Sequence, residues 1–234
     1  MRLHIAIPAY DGKICVSTAH SLDYENRAMA RMPELAMESE TSYLPGMPLI
    51  HVVRNMQVHK FLYESKADKL AFVDADVGWK MGTIIHLAMH KEHVVAAGVR
   101  RRKDPEDYAI NFLDSGIEQD QKTGLIEIET IGMALTVITR ECLETFRDKT
   151  PEYAYGFNDQ THHAFFQLPI GGGQVVGEDV FFCRKWRELG GKVFLDPRHW
   201  TTHNDGVRAY GGRVGDWLNR NVAEADAKMK DAAE

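Results

Sequence analysis

"KLAFVDADVGWK", residues Lys69 to Lys80, is an apolar run that delivers two carboxylates. Asp74 and Asp76 follow Leu70–Val73 one residue apart, and Gly78 and Trp79 come next. Like charges that close repel, and withdrawal from water adds to the cost. A cation between them removes the difficulty. In open parallel sheets, ligands bind outside the carboxyl ends of strands. Hard divalent cations take oxygen ligands that they share with phosphates. The stretch therefore reads as a strand ending in a metal–diphosphate site, against the simpler reading of a strand-end turn with two solvated acids.

Outward from this point, apolar and β-branched runs bounded by turn residues predict further strands. These are Leu3–Pro8, His93–Val99, Tyr108–Leu113, Leu125–Thr130, Met133–Ile138 and Lys192–Leu195, with a weaker one at Glu34–Tyr43. Helical periodicity marks 47–65, with Pro48 suited to a first turn, and 81–93. It also marks 139–149, with Thr139 as N-cap, 178–191, stopped by Gly190 and Gly191, and the C-terminal stretch from Val214. Strand and helix alternate in the first half, which predicts a parallel, doubly wound sheet. Successive strands over 108–138, with a turn at "DQKTG", predict a hairpin-like insertion. Residues 151–177 mix aromatics with three consecutive glycines and read as a long loop, either an active-site lid or an irregular surface segment.

The chain has 234 residues, enough for one substantial domain, and 44% of them are hydrophobic, which excludes global disorder. No apolar run reaches the roughly 20 residues that span a bilayer. The N-terminal run goes straight into Pro8 and a turn, unlike a secretory signal. Cys15, Cys142 and Cys183 are widely spaced and odd in number, which suits reduced thiols in a cytoplasmic protein. A net charge of −6 gives no general reason for a polyanionic partner. The local run "RRRK", Arg100–Lys103, reads first as a solvated loop.

Three other groups carry chemistry. Glu178 and Asp179 open a helix, where acids favour the dipole; the functional reading is a general base aimed into a cleft. His199, His203 and Asp205 follow the last core strand, where a histidine can serve as a metal ligand. His86, His90 and His93 include an i, i+4 pair that could hold zinc. The glutamate of H-E-x-x-H is missing, however, so a solvated helix face is favoured. "GGGQVV" lacks the lysine and Ser/Thr of a P-loop.

Four segments in order resemble the GT-A fold of nucleotide-sugar glycosyltransferases, close to the family-2 type and in a compact form like those of some viruses and bacteria. They are "IAIPAYDG", "RNMQVHKFLYESKADKLAFVDADVGW", "IGMALTVITRECLE" and "GEDVFFCRKWRELGGKVFLDPRHWTTHNDG". The resemblance implies an α/β fold with a mixed, mainly parallel sheet flanked by helices, a small β insertion and a C-terminal helix. Residues 1–100 would form a nucleotide-binding half, 101–212 an acceptor and sugar half, and 213–234 the closing helix. Pro8, Ala9, Tyr10 and Asp11 would line the base and ribose, Arg54 would hold the nucleotide, and Ala75 would lie in the D-x-D turn. Asp74 would meet the ribose or the metal. Asp76 and His203 would bind Mn²⁺ or Mg²⁺. Gly98 to Arg100 and Gly132 would border the sugar. Asp179 would be the base of an inverting transfer, with Glu178 beside it.

The implied donor is a nucleotide sugar, a UDP-sugar first. The acceptor would be a saccharide, a small molecule or a hydroxymethylated DNA base, the last using Arg100–Lys103 on the phosphate backbone. Two readings compete. "FVDADV" also resembles the first motif of HAD-type phosphotransferases, with Asp74 as nucleophile and Asp76 as acid/base. A binding module that holds donor without turning it over is the non-enzymatic alternative.

Overall fold

The computed structural model describes residues 1–155 and 160–231, with side chains to Ala223. The chain opens with β1 (Arg2–Ala9), α1 (Val16–Arg31), β2 (Glu38–Pro45) and α2 (Ile50–Tyr63). It continues through β3 (Lys69–Val73), β4 (Val77–Trp79), α3 (Thr83–Met89), β5 (Val94–Ala97), β6 (Ile110–Phe112), β7 (Ile126–Ile131), β8 (Leu135–Thr139) and α4 (Arg140–Arg147). Two short hairpins follow, β9 (Glu152–Ala154) with β10 (Thr161–His163) and β11 (Ile170–Gly171) with β12 (Gln174–Val175). The last elements are α5 (Glu178–Glu188), β13 (Val193–Asp196), β14 (Trp200–Asn204), β15 (Ala209–Arg213) and α6 (Val214–Asp231).

The main sheet has eight strands in the order β2-β1-β3-β8-β5-β13-β7-β6. β2, β1, β3, β5 and β13 point one way, while β8 runs antiparallel between β3 and β5, and β7 antiparallel to β13. This is the mixed, mainly parallel sheet flanked by helices that the resemblance implies. The expected hairpin exists as β6 and β7, but it extends the edge of the main sheet. β8 then crosses to the centre. Its residues Leu135–Ile138 are all buried, a pattern that only a strand covered on both faces can satisfy.

Alternation along the central strands divides the core into two layers. Ala6, Leu70 and Phe72 pack with Phe61 of α2, Phe146 of α4 and Phe182 of α5. Ile5, Ile7, Ala71 and Val73 pack instead with Leu22 and Met29 of α1 and Ile84 and Leu87 of α3. Phe166, from the long segment after α4, stacks on Phe182 at 4.9 Å between ring centroids. Asn55 of α2 donates to the Phe166 carbonyl and accepts from its N–H, so that segment is pinned where it meets the core. Part of the expected lid, residues 156–159, lies outside the described residues.

Several local expectations shift. Thr139 caps α4 as predicted, its hydroxyl accepting from the Cys142 N–H at 3.2 Å. The weak strand Glu34–Tyr43 begins only at Glu38, after a 3₁₀ turn at Pro33–Leu35. α2 starts at Ile50, leaving Pro48 outside it. α1 is an addition, because its buried stripe (Thr18, Ser21, Leu22, Glu25, Ala28, Met29) has helical spacing but half-polar composition. No helix among the described residues is long and apolar enough to cross a membrane.

Glu25 explains that polar stripe. Its carboxylate is fully buried and accepts from the N–H groups of Ile85 (2.7 Å) and Gly82 (2.9 Å) and from Trp79 Nε1 (3.2 Å). It thereby satisfies orphan donors at the start of α3 from a neighbouring helix. Burial pushes its pKa above the ordinary 4.5, against the pull of those donors. A carboxyl raised in the folded state contributes its full stability below the unfolded value and loses it as pH rises through the folded value. Glu25→Ala leaves the donors buried and unpaired and costs about 3 kcal/mol in urea denaturation. Glu25→Gln removes this part of the pH slope of stability above pH 4.5.

Candidate functional site

β3 ends where its ladder runs out. The Asp74 N–H still bonds the Ala134 carbonyl at 3.0 Å, and then the chain turns. The turn is held by its own carbonyls. Ala75 O accepts from the Cys15 N–H (2.8 Å) and the Thr18 hydroxyl (3.0 Å), and Asp76 O accepts from both the N–H and the side-chain amide of Asn204 (2.9 Å each). β4 then pairs with β14 in a small sheet of order β15-β14-β4, with His203 opposite Val77. Gly78 is required for that approach, since a Cβ there would come within 2.6 Å of Thr202 Oγ1 and 3.0 Å of Ser17 Cβ.

The two carboxylates do not share one cation. Asp74 Oδ1 accepts from Arg54 Nη2 at 3.0 Å, and Arg54 Nη1 donates to Glu178 Oε1 at 2.6 Å. The Arg54 side chain is only 4% exposed and lies against the rings of Phe72 and Phe166. It orders two acids and also lines the smaller of two clefts. Asp76 faces the other way. Its Oδ2 is 2.8 Å from Arg102 Nη2, and its Oδ1 is 3.5 Å from His203 Nε2.

His203 Nδ1 lies 2.9 Å from the Arg100 carbonyl, which only an N–H can satisfy. The tautomer that follows leaves a lone pair on Nε2, which accepts from Arg102 Nε at 3.0 Å. An imidazole anchored through one nitrogen to a carbonyl, with the other free, is oriented as metal-binding histidines are. The Arg102 guanidinium thus stands where a cation held by Asp76 and His203 would sit. Burial pulls the Asp76 pKa up, but the neighbouring positive charge, that of Arg102 included, holds it below the ordinary carboxylate value.

Two clefts meet at Asp74 and Ile50, which line both. The larger, of about 540 Å³, has Pro8, Tyr10, Asp11, Lys13, Cys15, Ala75, Asp76, Arg102 and Asn204 in its walls. The other, of about 240 Å³, is bordered by Val99, Arg101, Gly132, Met133, Glu178, Asp179 and His203. Asp179 turns Oδ2 toward Gly132, where an added Cβ would sit 3.5 Å away, while its Oδ1 accepts from the Val180 N–H at 2.7 Å. Burial raises the Glu178 pKa despite the neighbouring Arg54.

Most of the expected site residues converge here, but some do not line the clefts. Ala9 is buried beneath the turn, its carbonyl accepting from the Gly12 N–H. Gly98 is packed against Val214, and its carbonyl accepts from Thr201 Oγ1. The Arg100 side chain goes to Asp104 and the Gly211 carbonyl. Val99, from the same expected stretch, lines the smaller cleft, and so does Arg101, while Arg102 lines the larger. Asp74 is separated from the pair Asp76 and His203 by its bond to Arg54. Lys13, Arg101, Arg102 and Asn204 are site residues that the sequence reading passed over. The "RRRK" run was the available signal for the two arginines.

No protein-family model and no curated protein sequence matches the chain. Solved structures do. A197 from STIV superposes with a TM-score of 0.56 at 18% identity, over 89% of this chain and 89% of that one. GalNAc-T7, solved with UDP, GalNAc and Mn²⁺, gives a TM-score of 0.52 at 11% identity, over 86% of this chain and 43% of that one. The fold is GT-A. At these identities the likeness concerns the fold of nucleotide-sugar glycosyltransferases, and chemistry has to be argued from the side chains.

If Arg102 stands in for a cation, removing it frees the position. Arg102→Gln tightens Mn²⁺ binding roughly fivefold, in keeping with the ~1 kcal/mol of a half-exposed ion pair. Asp76→Asn weakens binding at this position and removes the gain from Arg102→Gln. Isothermal titration of the full chain reads both.

Proposed function

We propose that this chain transfers a sugar from a nucleotide-sugar donor, a UDP-sugar first, to an acceptor hydroxyl with inversion at the anomeric carbon. The observation that carries this reading is the Asp76–His203 pair gathered on one guanidinium, with Asp76 and Arg102 in the wall of the larger cleft and His203 in that of the smaller. The GT-A fold, and a neighbour solved with UDP and Mn²⁺, support it.

In this reading the nucleotide lies in the larger cleft. Tyr10 is 63% exposed there and offers a ring for the base, while Asp11 meets the ribose. Lys13 and Arg102 contribute positive charge to the diphosphate. Asp76 and His203 would hold Mn²⁺ or Mg²⁺, a donor pair of carboxylate oxygen and imidazole that suits Mn²⁺ better. Such an ion supplies neutralisation of the charge that develops on the leaving diphosphate.

The sugar sits over Gly132 in the smaller cleft, within reach of Asp179. Asp179 Oδ2 takes the proton from the acceptor hydroxyl as its oxygen bonds to the anomeric carbon and the bond to the diphosphate breaks. Glu178 and Asp74, tied through Arg54, keep the floor between the two clefts in place. Residues 1–100 hold the nucleotide, 101–212 the sugar and acceptor, and 213–234 close the single unit, which acts in the cytoplasm.

Two features bear on the alternatives. A phosphotransferase needs Asp74 as a free nucleophile, and Asp74 is bonded to a buried arginine. A DNA acceptor needs Arg100–Lys103 for phosphates, and these charges are used internally. Arg100 meets Asp104, Arg101 and Lys103 meet Asp107, and Arg102 meets Asp76. A saccharide or small-molecule hydroxyl is the acceptor that this surface favours.

Thermal shifts with nucleoside diphosphates and UDP-sugars, each with Mn²⁺ and with EDTA, test donor binding. The expected outcome is a Mn²⁺-dependent rise with a uridine ligand and slow hydrolysis of the matching sugar nucleotide. Asp179→Asn keeps the rise and lowers turnover by about 10²–10⁴. Equal loss of binding and turnover removes Asp179 from the base role. Donor binding without any turnover of the wild-type chain leaves a binding module.

A further inference from the structure

The histidines of α3, which the sequence presents as a solvated face, are not solvated alone. His86 Nδ1, His199 Nε2 and Asp196 Oδ2 converge, and among the described residues they are the group of three metal-binding side chains that come together. Asp196 ends β13 with its side chain wholly buried, His199 follows in the turn at 10% exposure, and His86 reaches in from α3.

The three atoms form a nearly equilateral triangle. His86 Nδ1 and His199 Nε2 are 3.1 Å apart, His199 Nε2 and Asp196 Oδ2 3.1 Å, and His86 Nδ1 and Asp196 Oδ2 3.3 Å. Hydrogen bonding alone cannot satisfy it with neutral rings. If both nitrogens carry protons, the 3.1 Å contact sets donor against donor. If either is bare, one edge of the triangle sets two lone pairs together. A cation at its centre turns every contact favourable, because all three atoms then face it with lone pairs. The edges also have the right size, since zinc bonds of 2.0–2.1 Å in tetrahedral geometry separate ligand atoms by roughly 3.3 Å.

We propose that His86, His199 and Asp196 bind a divalent transition ion of the zinc class, at a site separate from Asp76 and His203. Two imidazoles and one carboxylate select Zn²⁺, Co²⁺ or Ni²⁺ over Mg²⁺ or Ca²⁺, which take oxygen sets. The carboxylate is already oriented. Arg198 donates from Nε to Oδ1 at 2.7 Å, from Nη2 to Oδ2 at 2.8 Å and from its backbone N–H to Oδ1 at 3.1 Å. His90 Nε2, 3.3 Å from Oδ2, is a neighbour on the same oxygen. The site joins α3 to the corner between β13 and β14, four residues before His203 in sequence, so its role is to brace the strand that carries His203.

Co²⁺ titration of full-length Asp76→Asn, followed by its visible d–d bands and by thermal shift with Zn²⁺ against EDTA, tests the assignment. Asp76→Asn weakens the other position and leaves this one intact. A single equivalent should bind, with bands typical of mixed nitrogen and oxygen ligands, and Zn²⁺ should raise the melting temperature. Adding His86→Ala, a half-exposed change that the fold tolerates, should weaken Co²⁺ at least roughly tenfold. His90→Ala should not. Unchanged Co²⁺ affinity in the His86→Ala background, or no binding to Asp76→Asn at all, overturns the proposal.

Discussion

Two carboxylates at the end of a buried strand need positive charge, and this molecule divides the task between two arginines on opposite sides of one turn. Arg54 comes from α2 behind the sheet and binds Asp74 together with Glu178. Arg102 comes from the loop after β5 and binds Asp76 together with His203. The surrounding architecture follows from this division. α5 has to deliver Glu178 to Arg54, and β14 has to deliver His203 to Asp76. The loop after β5 has to come back over the strand ends instead of leaving the sheet. The Arg54 side chain is 4% exposed and the Arg102 side chain 44%, so the two acids of one three-residue motif are paired in different surroundings.

The two sides of the turn are built by different parts of the fold. Arg54, Glu178 and Asp179 rest on the aromatic layer in which Phe72, Phe166 and Phe182 pack between α2, α5 and the sheet. Asp76, His203 and Arg102 gather at the small sheet of β4, β14 and β15: His203 lies in β14, Asp76 just precedes β4, and Arg102 reaches over from the loop after β5, where the Arg100 carbonyl orients His203 and the Gly211 carbonyl holds the Arg100 side chain. The proposed base and the proposed cation ligands are therefore mounted separately. They meet through Asp74 and Ile50, the residues that border both clefts.

Legibility in the sequence followed the same division. The central strands and amphipathic helices announced themselves by apolar runs, and Thr139 capped α4 where its position suggested. What stayed hidden was held by polar contacts across long sequence separations. α1 buries Glu25 and Ser21 against the backbone of 79–85, so its periodicity carries little hydrophobic signal. β4 is only three residues long and β14 is largely polar, and their pairing is decided by close packing at Gly78. Asp74 and Asp76 were visible as a pair, but the pairing of each with its own arginine was not. Arg54 lies 20 residues before Asp74 and 124 before Glu178, distances over which spacing conveys nothing.

The "RRRK" run shows why charge counts mislead at this scale. As a string it is a basic patch, the kind of feature that suggests a polyanion. In the fold its charges go to Asp104, Asp107 and Asp76, and Arg208 from the loop between β14 and β15 adds a second cation to Asp104. The run closes the β5 loop onto the small sheet, and that closure places Arg102 beside His203. A basic segment that fastens a loop by internal ion pairs has one member that can be released without unfastening the rest, namely the one whose acid also faces a cleft. Arg102 meets that condition, because Asp76 opens onto the larger cleft while Arg100, Arg101 and Lys103 keep their own partners.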